Sequence, residues 1–572
     1  MVLISILMVW SGPDKLEAIL GRAWQFQLAF QPVFATSVGD HRFDDRLTDL
    51  SPERIQLAEK ECFQIRKELM GFKGQKLSSA QRVNWRVMLG EIESWSGYFS
   101  FQEYKVPLTA EGGFHSELGF LPQTHPFRSA MDYQNYLKRL QAIPRFIQQN
   151  MAWMQKGITE GRSVPQAVLE GYEASIAAFV VGPEQSVFFE PFKQKSGAVD
   201  ESEFAKFQVQ ALDIIGSSVI PAYKNYLTFF REQYYPHCRQ TLACRSLPDG
   251  ESYYRFLIGR YVTRQMDPEE IHALGQQEVA RIRAEMEAVI QKVGFKGDFP
   301  EFLTFLRTDP QFYVTSGDQL LKEAAYIAKK MEGQLPRLFG HLPRQPFTVA
   351  PVPDQIAPKY TGGRYVPSGG PTQPGTYWVN TYALETRPLY VLEALTFHEA
   401  VPGHHLQGAL SQELQDVPAF RKYVYHSAFG EGWALYAEYL GVEAGFYQDP
   451  YSQFGRLTYE MWRACRLVVD TGIHWKGWSR DQVLAFMAQN TALSLHEIET
   501  ETDRYISWPA QALSYKIGEL EIKRLRGLAE KALGRRFDLR EFHDAVLENG
   551  SIPLELLTLQ IETFIQNHTA SP

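Results

Sequence analysis

Between Pro343 and Pro374 the chain carries eight prolines, interleaved with Gly362-Gly363 and Gly369-Gly370. Proline lacks a backbone donor and its ring clashes with the preceding turn, so no helix can run through this stretch. It reads as a long surface loop or a domain junction. Elsewhere apolar residues recur at helical spacing. Helices are predicted over about 14–35, 53–70, 78–104, 130–156, 202–233, 267–294 and 317–339, and again from Leu389 onward. Two helix starts are explicit: Ser51-Pro52-Glu53-Arg54 and Asp267-Pro268-Glu269-Glu270 each set proline in a first turn, and acids follow at the positive helix end. The interruption ends in Thr376-Tyr377-Trp378-Val379-Asn380-Thr381, β-branched and aromatic, the best strand candidate in the chain. The predicted fold class is therefore mainly α, a large helical body with a small β-sheet. No repeat of fixed period occurs, which excludes a solenoid.

Immediately after this strand comes Phe397-His398-Glu399-Ala400-Val401-Pro402-Gly403-His404-His405. Two imidazoles one helical turn apart, with a glutamate between, form the H-E-x-x-H arrangement of zinc hydrolases, in which the glutamate reaches the attacking water. Here the second histidine is displaced. At about 100° per residue, His404 falls about 120° off the face of His398 in a straight helix and His405 only about 20° off. Pro402 forbids the straight helix, and a bulge at 401–403 would bring His404 to the ligand position. Geometry leaves both candidates open. A third ligand is expected within tens of residues: Glu431, at a helix start in Gly430-Glu431-Gly432-Trp433, with Glu438 seven residues on along the same face. One Zn²⁺ is the expected cofactor, although two histidines and a glutamate also suit Co²⁺ or Mn²⁺.

Composition narrows the partners. The chain has 572 residues, 58 Lys+Arg against 66 Asp+Glu, and 13% aromatic residues. That apolar content excludes a disordered chain, and the net charge of −8 argues against nucleic acid. No run is long and apolar enough to span a membrane. Four cysteines, Cys62, Cys238, Cys244 and Cys465, make no disulfide framework; two buried thiols at 238 and 244 are expected over a bridge. Residues 1–12 are mostly apolar, with no Lys or Arg before them, so a cytoplasmic chain is expected, or an exported one if they act as a signal segment.

H-E-A-V-P-G-H-H-L-Q together with E-G-W-A-L-Y-A-E resembles the bacterial family catalogued as domain of unknown function 885, a zincin-like group. The resemblance extends to residues 36–47, 466–474, 504–518 and 542–547. It implies H-E-x-x-P-G-H as the motif, and so His398, His404 and Glu431 as metal ligands. The motif is also similar to the H-E-x-G-H of carboxypeptidase Taq-like peptidases, and the Glu431 segment to the N-E-G-F-A of gluzincin aminopeptidases. Arg504-Tyr505 resembles a segment of angiotensin-converting-enzyme-like peptidases whose tyrosine donates to the oxyanion. The catalytic candidates are thus Glu399 as base, Tyr505 as oxyanion donor with Tyr515 its rival, and His474, oriented by Asp470 one turn earlier. Arg504 is a candidate for a substrate carboxylate, and Tyr377 and Asn380 for contacts along a strand edge. His543 and His115 rank lower. The expected whole is one catalytic body over 14–572, with sub-lobes 14–342 and 343–572 after the apolar segment 1–13. The expected activity is zinc-dependent hydrolysis of oligopeptides. The alternatives are hydrolysis of another amide or ester, or a non-catalytic helical binding protein.

Overall fold

A computed structural model describes residues 12–354, 356–368 and 373–570. The apolar N-terminal segment lies almost wholly outside the described residues. The chain is mainly α, with a single three-stranded sheet among the described residues. No described helix is long and apolar enough to cross a membrane. Contacts group the chain into two compact units. The division falls at 234/235, with residues 108–113 and 157–172 assigned to the second unit, and not at the expected 342/343. The helices of 250–293 pack against elements after residue 343, so they belong with them.

The first unit is helical, and its long helices Pro52–Met70, Ser79–Ser100 and Ala130–Thr159 lie where periodicity puts them. The predicted helix at 14–35 divides into Gly12–Phe30 and Pro32–Ser37, because Pro32 restarts the chain. Arg139 is fully buried and donates to the carbonyls of Pro32, Phe43 and Arg46 and to Thr36 Oγ1. The segment 36–47 is thus a scaffold for a buried cation, which accounts for its polar composition.

In the second unit we label the helices α1 (Gly250–Val262), α2 (Pro268–Val293), α3 (Leu392–Glu399), α4 (His404–Gln412), α5 (Ser427–Glu443), α6 (Pro450–Thr471), α7 (Leu495–Ser507) and α8 (Ser514–Leu533). Asp267 caps α2 as its sequence predicts, accepting from the Glu269 amide at 2.9 Å. Helix α6 is buried from Phe454 to Thr471, yet carries Arg456, Glu460, Arg463, Arg466 and Asp470. Helices α5 and α8 meet backbone to backbone: a Cβ on Gly432 would stand 2.5 Å from Gly518 Cα, and one on Gly518 only 1.9 Å from the Ala428 carbonyl oxygen.

The strands are β1 (Phe347–Pro351), β2 (Gly363–Val366) and β3 (Gly375–Val379). β3 is the predicted strand, but it lies in the middle, parallel to β1 and antiparallel to β2. The stretch predicted as loop supplies both edges. β2 is four residues long between glycine and proline, too short to show a period.

Candidate metal centre

Helix α3 stops at Glu399, and Ala400 leaves helical geometry at φ −98°, ψ −104°. The chain turns through Val401-Pro402-Gly403 and α4 restarts at His404. A Cβ on Gly403 would lie 2.0 Å from the His398 carbonyl oxygen, so only glycine lets α4 begin this close to the end of α3. Trp433 Nε1 on α5 donates to the Pro402 carbonyl at 2.8 Å and ties the turn down.

This break brings His404 round to His398, with ring centroids 4.9 Å apart and planes at 89°. Glu431 Oε2 on α5 lies 3.5 Å from His398 Nε2 and 3.3 Å from His404 Nε2. Ligand atoms about 2.05 Å from a tetrahedral zinc stand about 3.3 Å from one another. The donor set therefore fits one zinc ion, and among the described residues it is the only such group of three. His398 Nδ1 pairs with Glu438 Oε1 at 2.8 Å, which leaves Nε2 to face the site. Arg463 Nη2 stands 3.6 Å from the same oxygen. Burial would lower the His398 pKa, but Glu431 and Glu438 hold its proton and raise it to about 9. The two histidines hold the Glu431 carboxyl well below its usual range, against the effect of burial.

His405 is excluded as a ligand. Its Nδ1 meets the Tyr365 hydroxyl at 3.1 Å and its Nε2 the Gln345 carbonyl at 3.0 Å, so the ring faces the sheet. Glu399 is buried beside the ligands, and its Oε2 accepts from the Tyr365 amide of β2 at 2.7 Å.

Several expected roles do not survive. Tyr505 is buried, and its hydroxyl accepts from Trp462 Nε1 at 2.7 Å and Arg466 Nε at 2.8 Å. It braces the core and is not open to an oxyanion. Tyr515 stands where Tyr505 was expected: its ring lies parallel to His398, centroids 6.3 Å apart, and its hydroxyl accepts from Arg504 Nη2 at 3.2 Å. Arg504 also bonds Gln511 Oε1 and pairs with Glu501 at 3.3 Å, so most of its fork is engaged.

His474 does not pair with Asp470. Its Nδ1 accepts from the Cys244 amide at 3.1 Å, its Nε2 donates to the Tyr505 carbonyl at 2.9 Å, and burial lowers its pKa to about 3. Asp470 instead accepts from the Tyr254 hydroxyl at 2.6 Å and the Ala510 amide at 3.0 Å. The expected four-residue step fails because Gly472–Lys476 forms a wider π turn.

Tyr377 and Asn380 are fully buried and cannot meet substrate. The Tyr377 hydroxyl faces Thr396 Oγ1, and Asn380 Nδ2 donates to the carbonyls of Ala357, Tyr360 and Thr361. Trp433 is buried too, so it does not line a cleft. His543 bonds the Leu338 carbonyl and the Tyr436 hydroxyl, and His115, in the first unit, bonds Ser175 Oγ. Cys62, Cys238, Cys244 and Cys465 are all buried free thiols. Sequence reasoning missed Arg364 and Tyr365, because β2 is hidden in the proline-rich stretch. It also missed Tyr425, an exposed ring 6.5 Å from His404, which no motif marks.

A crystal structure titled "the putative lipoprotein from Colwellia psychrerythraea" is similar at 28% identity and TM-score 0.90, covering 98% of this chain and 100% of that one. A second, titled a putative lipoprotein of unknown function from Shewanella oneidensis, shares the fold at 17% identity and TM-score 0.72, covering 97% and 100%. No protein of curated function matches significantly. The family described as "Bacterial protein of unknown function (DUF885)" matches residues 32–561, and the chain belongs to it.

Proposed function

We propose that this protein is a zinc-dependent peptidase acting on oligopeptides. The observation that carries the reading is the convergence of His398, His404 and Glu431 at zinc-ligand spacing, with a buried carboxylate, Glu399, next in the chain. A purely structural metal site has no use for such a base.

Zinc, when bound, supplies Lewis acidity that polarises the scissile carbonyl and the attacking water. Glu399, aimed by the Tyr365 amide, takes the proton from that water and returns it to the leaving amine. Tyr515, fixed by Arg504, donates a hydrogen bond to the developing oxyanion. The outer edge of β2 offers extended backbone for an extended peptide. The Colwellia relative's description as a lipoprotein favours a place in the cell envelope over the cytoplasm; fractionation of the native host checks this.

The test is a metal and activity measurement on three proteins. Wild type should bind one zinc and cleave peptides. His398→Ala should lose both. Glu399→Gln should keep the zinc and lose activity by about 10²–10⁴-fold. Full activity in Glu399→Gln with zinc retained would sink the mechanism.

A further inference from the structure

Arg364 is the second residue of β2 and precedes the amide that holds Glu399. It is half-buried, and its guanidinium lies 5.1 Å from the Tyr360 ring centroid. Among the described residues no carboxylate stands within ion-pair distance of it. The Tyr360 phenol, the exposed Glu111 and the Tyr515 phenol favour its charge through space, and Arg504 opposes it. Arg504, nine-tenths buried, has one unspent donor, for its Nε finds no partner. Arg364 thus has no carboxylate partner, and Arg504, bonded to the Tyr515 hydroxyl, keeps one idle N–H. Two buried arginines of this unit do meet a carboxylate, Arg466 with Glu501 at 2.8 Å and Arg456 with Glu460 at 2.9 Å, and Arg307 spends its fork on three backbone carbonyls; Arg364 has neither. A half-buried cation without a carboxylate, next to a cation already satisfied on two sides, calls for an anion from outside.

We infer that Arg364, backed by Arg504, receives a carboxylate of the substrate. A planar fork matches a carboxylate with two parallel hydrogen bonds, which fixes direction as well as position. Its place on the edge strand, one residue from the base's anchor, sets that carboxylate at one end of the extended peptide. The carboxylate comes either from the free C-terminus, which would make the enzyme a carboxy-terminal exopeptidase, or from an Asp or Glu side chain. The inference rests on the peptidase reading for its substrate, but its binding test does not require turnover. Arg364 replaces Arg504 as the primary contact because the Arg504 fork is committed to Glu501, Gln511 and Tyr515.

A mixed-sequence N-acetylated pentapeptide library is made twice, as free acids and as C-terminal amides. Each is passed over zinc-loaded Glu399→Gln protein, and over the same protein also carrying Arg364→Gln or Arg364→Lys. A C-terminal source predicts about tenfold stronger retention of the acids, abolished by Arg364→Gln and partly kept by Arg364→Lys, with zinc content unchanged. A side-chain source predicts retained amides enriched in Asp or Glu, again lost in Arg364→Gln. Retention indifferent to both carboxylates, or a preference that survives Arg364→Gln, would overturn the inference. Hydrolysis by the wild-type catalytic site is scored separately. Cleavage unaffected by Arg364→Gln leaves the peptidase reading standing and removes the anchor. Absence of cleavage removes the peptidase reading, and retention alone then decides the carboxylate.

Discussion

Glu438 does not face the metal position, yet it decides which nitrogen of His398 is free. Its carboxylate takes Nδ1, so Nε2 must point to the site. Removing it leaves the imidazole free to turn and less basic, which typically costs 10–100-fold in metal affinity. Glu438→Gln should therefore lose zinc to a chelator at about tenfold lower concentration while circular dichroism stays unchanged. His404 and His405 make a second contrast at this scale. His404→Ala should abolish zinc binding, whereas His405→Ala should retain it and lose only the contacts to Tyr365 and Gln345. Competition titration with a zinc-sensitive dye checks both. The cluster of His398, Glu399 and Glu431 was legible in the sequence because histidine and glutamate rarely fall in such a pattern by chance. The choice between His404 and His405 was not, since it depends on where α4 restarts. Tyr505 and His474 look catalytic in sequence, and Tyr377 and Asn380 look like substrate contacts, because the same polar groups that serve a site also satisfy a buried core, and only their partners tell the two apart.

At the scale of elements, the break between α3 and α4 makes the site. Proline ends the first helix and glycine permits the second to begin against it. Gly403→Ala would drive a methyl group into the His398 carbonyl, so it should cost about 1–3 kcal/mol and displace His404. The expected readout is a lower Tm together with zinc affinity reduced at least tenfold; an unchanged zinc affinity would contradict the assigned role of the turn. Helices were legible here because their period runs over many residues and their caps are explicit. The sheet was only partly so. β3 announced itself with Thr376-Tyr377-Trp378-Val379, but β1 and β2 sit among prolines and glycines that mark turns. An edge strand tolerates proline where a central strand does not, and Pro351 indeed closes the edge strand β1.

At the scale of the whole molecule, buried charge is the unusual quantity. Lys516 is fully buried among Glu278, Glu460 and Glu519, at 3.0, 2.9 and 2.7 Å. Asp470 is a buried acid whose partners are a hydroxyl and an amide rather than a cation. Burial raises its carboxyl to about 7, against the pull of Tyr254 and Ala510. From about pH 4 to about 7 the folded state keeps a proton that the unfolded chain has lost, so this group's contribution to stability falls as pH rises. Asp470→Asn mimics the protonated form. Its Tm relative to wild type should rise between pH 5 and pH 8, and a constant difference would show that Asp470 does not titrate there. Ligand linkage gives a second global test: if zinc binds only the folded state, a chelator should lower Tm and added zinc restore it.

The contact of Gly432 with Gly518 bears on manufacture more than on chemistry. Two helices touching along their backbones act as a datum surface, from which the Glu431 carboxylate and the Tyr515 ring are both measured. Neither helix can slide inward to make good a shortened part. Glu431→Asp, one methylene shorter, should therefore leave a gap that no adjustment of α5 closes, although the carboxylate itself is retained.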